Sequence, residues 1–250
     1  MEAMANYDYL TRSVELAAST RAKTVVEIGC GDGRGLHALQ SNNPTLNLVG
    51  IEVAREKLIS AANTISGDAI TNPTQRLALI DCHGDRIPIG NDTVDLVLML
   101  HVLHHAGNLR LVGEAARVLR PGGTLFVVDL SDRNPLVLML RFAWRYLPSN
   151  LRNRFDREYT VAGNAPPVKL VNPSSLNAKA SMHGLQLCAT EDDGLFAFLF
   201  VYFLIAIPAL RSQEALILLN YLRMIERLLL IYTPARHLAV GVARVWTKPS

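Results

Sequence analysis

Short apolar runs, separated by polar and turn-forming residues, recur through the first half of the chain. Thr24–Ile28 holds two valines and an isoleucine, and β-branched residues suit a buried strand. Asn47–Ile51, Leu77–Ile80 and Thr124–Leu130 read the same way. Val94–Leu100 is apolar throughout except at Asp95, as a central parallel strand buried on both faces should be. Between the runs the apolar period lengthens to that of a helix. Tyr7–Ser19 offers Tyr9, Leu10, Val14, Leu16 and Ala17 on one side, and further helices are expected from Gly33 to Gln40, Ala54 to Ser66 and Asn108 to Leu119. Arg120-Pro121-Gly122-Gly123 should stop the last of these and turn the chain. Later, Pro173–His183 reads as a helix, and Leu185–Ala189 and His237–Thr247 as two more strands. Strand–helix alternation with short connections predicts an α/β fold with a doubly wound, right-handed parallel sheet.

The first strand runs into glycines at 29, 31, 33 and 35. Glycine permits positive φ and lets a ligand approach the backbone without meeting a Cβ. Glu27 lies inside the strand, where a carboxylate is costly unless partnered. The dinucleotide fingerprint G-x-G-x-x-G, started at Gly29, needs glycine at 34, but Arg34 stands there. This departure counts against a dehydrogenase. Glu52, at the end of the second strand, can accept from a ribose diol, or it can cap the helix that follows.

Val26-Glu27-Ile28-Gly29-Cys30-Gly31-Asp32-Gly33 resembles the first motif of the class I S-adenosylmethionine-dependent methyltransferases. The phrase Ile87–Leu100 is similar to that family's approach to its fourth strand, and Leu119-Arg120-Pro121-Gly122-Gly123 to the turn before its fifth. The three phrases span residues 24–130 in order. The resemblance implies a Rossmann-like seven-stranded sheet in the order 3-2-1-4-5-7-6, with the last strand antiparallel. It implies S-adenosylmethionine as the cofactor. Glu27, Gly29, Cys30, Gly31 and Gly33 would hold its methionine end and backbone, Glu52 and Val53 the ribose side, and Asp81 with Cys82 the adenine. His101 would line the pocket. Asp81 remains open to a plainer reading as a loop residue.

His101, His104 and His105 follow the fourth strand, at the end where open parallel sheets place ligands and chemistry. His101 and His105 would share a face if the segment were helical. No clustered cysteine or carboxylate is visible in the sequence to complete a metal site, so none is expected. His104 and His105 are the candidate general bases, since imidazole titrates near neutrality. A wall of the cofactor pocket is the alternative role.

The 250 residues and 27.5 kDa suit one large domain spanning 1–250. A net charge of +3 does not point to nucleic acid. Cys30, Cys82 and Cys188 are widely spaced, which favours a reducing, cytoplasmic setting, and residues 1–8 lack the pattern of a signal peptide.

Two helical insertions are expected, at about 133–167 and 194–234. The first joins apolar and aromatic residues to Arg141, Arg145, Arg152, Arg154 and Arg157, as a membrane-surface helix or a lid would. The second opens with Gly194–Leu210, which carries no charge and has Pro208 near its end. A single span there would put the sixth and seventh strands on opposite sides of a membrane, so an apolar hairpin is expected instead. It suits a cover over the site, a homodimer interface through 194–232, or peripheral membrane contact. The function expected is methyl transfer to oxygen or carbon of a largely apolar small molecule, lipid-, quinone- or polyketide-like. A nucleic-acid acceptor and a non-catalytic cofactor-binding subunit that uses the hairpin to hold a partner are the alternatives.

Overall fold

The computed structural model describes residues 7–66, 76–106, 109–133, 169–191 and 241–250. Most of both predicted insertions, with the arginines of the first and the apolar hairpin of the second, lies outside the described residues.

The elements follow the predicted alternation. Helix α1 (Tyr7–Ser19) precedes β1 (Thr24–Ile28), α2 (Arg34–Asn42), β2 (Asn47–Glu52), α3 (Arg55–Ser66) and β3 (Arg76–Asp81). Then come β4 (Val94–Leu100), the single turn α4 (Leu103–Ala106), α5 (Arg110–Val118) and β5 (Leu119–Leu130). Helix α6 (Pro173–Met182) and strands β6 (Gln186–Thr190) and β7 (Gly241–Thr247) complete the described fold. The seven strands form one sheet in the order β3-β2-β1-β4-β5-β7-β6. The first four pairings are parallel, and β7 runs antiparallel to both β5 and β6, as the resemblance implied.

The two faces of the sheet bury alternate residues, as the period of a strand requires. Val26, Ile28, Val97, Met99, Val127 and Trp246 face one side with Val112 and Ala115 of α5 and Leu176 of α6. Val25, Leu96, Leu98, Phe126 and Val128 face the other, with Leu16 of α1, Leu36 and Leu39 of α2, and Ile65 of α3. Side chains on both faces are thus withdrawn from water, which stabilises the sheet by burial.

Most predicted boundaries shift by one or two residues, and the one at Arg120 differs in kind. Arg120–Gly123 does not stand apart from the fifth strand but is absorbed into β5, whose register against β4 slips between the pairs Val94↔Leu119 and Leu96↔Thr124. Asp95 faces this bulge and explains it. Its Oδ1 accepts from the Arg120 guanidinium, while its Oδ2 accepts from the Lys23 and Thr24 amides at the start of β1. The one polar residue of β4 therefore ties three strands together at the end of the sheet away from the site.

Candidate active site

The glycine loop forms at the C-terminal end of β1 because each glycine meets a separate geometric demand. Gly29, Gly31 and Gly33 all have positive φ, at 74°, 53° and 80°. A Cβ on Gly29 would lie 2.4 Å from Val102 Cγ2, and one on Gly33 would lie 2.9 Å from the Ala61 Cβ of α3. A Cβ on Gly31 would meet nothing within 4 Å. Gly31 thus borders open space, while its neighbours are glycine for packing within the protein.

Gly35 explains the departure from the dinucleotide fingerprint. A Cβ there would stand 2.5 Å from both carboxylate oxygens of Glu27. Only glycine lets the start of α2 close over that side chain. Glu27 is 3 % exposed, and the Leu36 amide at the N-terminus of α2 donates to it. Its Oε2 has no hydrogen-bond partner among the described residues. Burial is the main cause that pushes its pKa up to about 8, against the Leu36 hydrogen bond, with the charges of Asp32 and Glu52 adding to the rise. An acid held this way can exchange its proton for the charge of a cationic ligand.

Glu52 fills the capping role that its position suggested and keeps room for the other. Its Oε1 accepts from the Val53 and Ala54 amides and caps the entry to α3. Its Oε2 accepts from the Gly31 amide at 3.1 Å, which joins the ends of β1 and β2. A carboxylate offers about four acceptor positions. Three are taken here, and the fourth, on Oε2, is available to a hydroxyl beside Gly31. Asp81 pairs in register with Glu52 at the end of β3 and is exposed, and the Cys82 amide donates to the Glu52 carbonyl. Val53 is 55 % exposed, an apolar surface on the same rim.

Cys30 differs from the other loop residues. Its thiol is buried near Gly50, where a Cβ would lie 2.8 Å from the Cys30 Sγ. Burial raises its pKa strongly. Its amide and that of Gly29 both donate to the Ile51 carbonyl. Cys30 shapes the loop from beneath and presents neither group to the open side.

The histidines lie at the ends of β4 and β5. His101 is not helical, so it shares no helix face with His105. It holds a φ of 54°, and its amide donates to the Val128 carbonyl. Positive φ at a residue with a side chain is a strained conformation of the kind found at functional sites. The His101 ring meets Tyr9 of α1 edge-on at 5.8 Å, so the leading helix reaches the site. Burial lowers the pKa of both His101 and His105.

Asp129 was not singled out in the sequence. It is fully buried in β5 and within reach of the cluster. Its Oδ1 lies 2.7 Å from His104 Nδ1 and accepts from the Leu130 amide at 2.7 Å. Its Oδ2 accepts from the Leu103 and His104 amides at 2.8 and 3.2 Å. A lone Asp inside a buried apolar run was the available signal, as Glu27 was in β1. The first insertion leaves the described chain at Arg133 and returns at Lys169, whose amide donates to the His104 carbonyl.

His101, His104 and Asp129 bring one potential ligand atom each within 4.8 Å of one another, so the carboxylate missing from the sequence pattern is supplied in space. However, three amides and the His104 ring already occupy the Asp129 lone pairs. A cation would have to displace one of them.

A glycine loop at the end of β1 and a carboxylate at the end of β2 thus stand together on the sheet order that the resemblance implied. A family model described as a methyltransferase domain matches residues 26–127, which run from within β1 to within β5. Residues 26–127 thus carry the methyltransferase domain of that model, in keeping with the resemblance to the class I S-adenosylmethionine-dependent methyltransferases. It is 27 % identical over 174 residues to methyltransferase AacuQ of Aspergillus aculeatus, covering 69 % of this chain and 50 % of that protein. It is 30 % identical over 123 residues to 27-O-demethylrifamycin SV methyltransferase of Amycolatopsis mediterranei, covering 49 % of this chain and 43 % of that one. The chain thus spans about half the length, or less, of these curated relatives. Among solved structures, magnesium protoporphyrin IX methyltransferase of Synechocystis, with bound S-adenosylhomocysteine, superposes with a TM-score of 0.61. That match covers 96 % of this chain and 82 % of the other, and at 9 % identity it shows the fold.

The methyltransferase cofactor, S-adenosylmethionine, fits what these residues present. Glu27 has an unpartnered buried oxygen, Gly31 borders open space, and Glu52 keeps one acceptor position beside it. Among the described residues, no helix is long and apolar enough to cross a membrane.

Proposed function

We propose that the chain transfers the methyl group of S-adenosylmethionine to oxygen or carbon of a largely apolar small molecule. The observation that carries this reading is the open space bordering Gly31 beside the Glu52 carboxylate, with the histidine segment packed against the same glycine loop through Val102. Glu27 faces the methionine end, Glu52 accepts from the ribose, and Asp81 with the Cys82 segment borders the adenine. The bound cofactor supplies an electrophilic methyl group on a sulfonium. The protein's share is to hold the acceptor in line with that methyl, and such positioning can remove a large part of a barrier.

The acceptor class rests on two supports. The relatives named above are methyltransferases, one of them named for methylation of an oxygen on a small molecule, demethylrifamycin. The uncharged run Gly194–Leu210 supplies, in the sequence, the apolar residues that such an acceptor would need. We take residues 1–250 as one methyltransferase domain with two insertions.

The test is incubation with S-adenosylmethionine tritiated on the methyl group. The acceptors would be apolar hydroxylated compounds, total lipid extract, transfer RNA and duplex DNA, each in its own reaction. Label that partitions into organic solvent with the small molecules or the lipid supports the reading. Label confined to the nucleic acids replaces the acceptor. Saturable cofactor binding without label in any fraction favours a non-catalytic subunit.

A further inference from the structure

We propose that Asp129 positions His104 as the general base of the site, with the His104 Nε2 facing the acceptor. This deepens the methyl-transfer reading, rests on it, and narrows the acceptor to one that carries an ionisable hydroxyl.

The argument starts from the buried carboxylate. Asp129 is 0 % exposed and sits in the strand face that carries the active-site end of β5. Three backbone amides converge on it, from Leu103, His104 and Leu130. Two of those amides open α4, so the carboxylate fixes the position of the turn that carries His104 as well as the ring itself. A carboxylate used as an acceptor by three amides is matched by a ring nitrogen that donates. Nδ1 of His104, 2.7 Å from Oδ1, then holds the ring's proton. In the neutral ring the other nitrogen, Nε2, is left as the acceptor.

Nε2 has no hydrogen-bond partner among the described residues. The segment that carries it packs against the glycine loop, since Val102 Cγ2 occupies the space that a Gly29 Cβ would need. The base therefore sits beside the cleft rather than behind the sheet.

The other two histidines lack this arrangement. His105 is more exposed than His104, and among the described residues neither it nor His101 has a carboxylate bonded to its ring. The His101 ring is placed by Tyr9, 5.8 Å away, and both rings form walls around His104 at 6.3 and 4.0 Å. The saturated lone pairs of Asp129 favour the acid–base role over a metal site.

In the step this implies, Nε2 takes the proton of the acceptor hydroxyl while the oxygen attacks the methyl carbon. The new O–CH3 bond forms as the S–CH3 bond breaks, and that bond's electron pair stays on sulfur as the neutral thioether. The proton resides on His104, whose imidazolium is stabilised by Asp129, and then passes to water.

The test does not depend on knowing the acceptor. Protein labelled with 15N at histidine and loaded with S-adenosylhomocysteine is studied by long-range proton–nitrogen NMR, with Asp129→Asn alongside. The native His104 should show the Nδ1–H tautomer. Asp129→Asn, whose amide donates to Nδ1, should convert it to Nε2–H and change product affinity by less than about threefold. An Nε2–H tautomer in the native protein, or no change in the variant, overturns the proposal.

With methyl-labelled cofactor and a panel of phenols and naphthols as probes, Asp129→Asn and His104→Gln should each lower kcat about 100- to 10,000-fold. KM should move by less than about threefold, and His105→Gln should change kcat by less than about threefold. Full kcat in either of the first two variants overturns the proposal. If S-adenosylhomocysteine binds and the tautomer is as stated but no probe is methylated, the hydroxyl acceptor fails while the positioning by Asp129 stands. If S-adenosylhomocysteine does not bind, it is the methyl-transfer reading that fails.

Discussion

The two sides of the cleft are built from different materials. On the side of β1 and β2, the main chain sets the shape, and the carboxylates of Glu27 and Glu52 are anchored to its amides. Three glycines at positive φ set the loop's path, and Glu52 spends three of its acceptor positions on backbone amides. On the side of β4 and β5, the working groups are side chains. Two imidazoles, His101 and His104, meet one buried carboxylate with the His105 ring beside His104, and even the backbone bends to them, with His101 at positive φ. A ligand that recurs unchanged can be held by main chain, which leaves little for substitution to vary. An acceptor that differs among relatives needs side chains, whose chemistry can change without rebuilding the loop. On the proposed reading, the first side reports the cofactor and the second the reaction.

The largest effect expected from breaking this contrast concerns Glu27. Its folded-state pKa, up to about 8, lies above the ordinary carboxylate value of 4.5. The folded protein therefore binds the proton that the unfolded chain releases across that window. Its contribution favours the fold below pH 4.5, and that advantage is lost as the pH rises toward 8, by roughly 5 kcal/mol at most. Urea melts at several pH values should show this slope, and Glu27→Gln should flatten it.

Gly29→Ala comes next. The new methyl would overlap Val102 and sit on a backbone at φ 74°. Overpacking and left-handed strain together should cost on the order of 3 kcal/mol, read as a lower urea midpoint. Gly31→Ala sharpens the comparison, because its methyl meets nothing within 4 Å among the described residues. Its stability should fall by only about 1 kcal/mol, while cofactor affinity should fall about tenfold or more as the methyl enters the cleft. Equal effects of the two substitutions on stability would contradict the distinction drawn between them.

The smallest effect lies away from both sides. Arg12 of α1 makes a two-pronged pair with Glu191, which follows β6, at 2.7 and 3.0 Å. Both side chains are about one-third exposed, at 34 % each, so Arg12→Ala should cost less than about 1 kcal/mol in a melt and leave cofactor binding unchanged.

The same contrast explains what could be read from the sequence. The glycine loop, Glu27 and Glu52 are legible because local residue types dictate them. Positive φ asks for glycine, and a carboxylate inside an apolar strand asks for a partner. Sheet order followed from three phrases in the right succession. The acceptor side was only half legible. His104 and His105 stood together in the sequence, but what separates them is Asp129, a residue 25 positions away that only strand pairing brings near. The bulge at Arg120–Gly123 was missed for a similar reason, since the Pro-Gly-Gly signal is local while the Asp95 side chain that holds it belongs to another strand. Cys30 went the other way. It sits within the motif, but its thiol is claimed by the core above Gly50.

The central claim is that the cleft between Gly31 and Glu52 holds S-adenosylmethionine. Calorimetric titration with S-adenosylmethionine and S-adenosylhomocysteine, on the native protein and on Glu52→Ala, tests it most directly. We predict saturable binding of one equivalent of either ligand, weakened about 10- to 100-fold in the variant as a charge-assisted hydrogen bond of about 1.5–3 kcal/mol is lost. Well-folded native protein that binds neither ligand, or a variant that binds both as tightly as the native protein, would contradict the account.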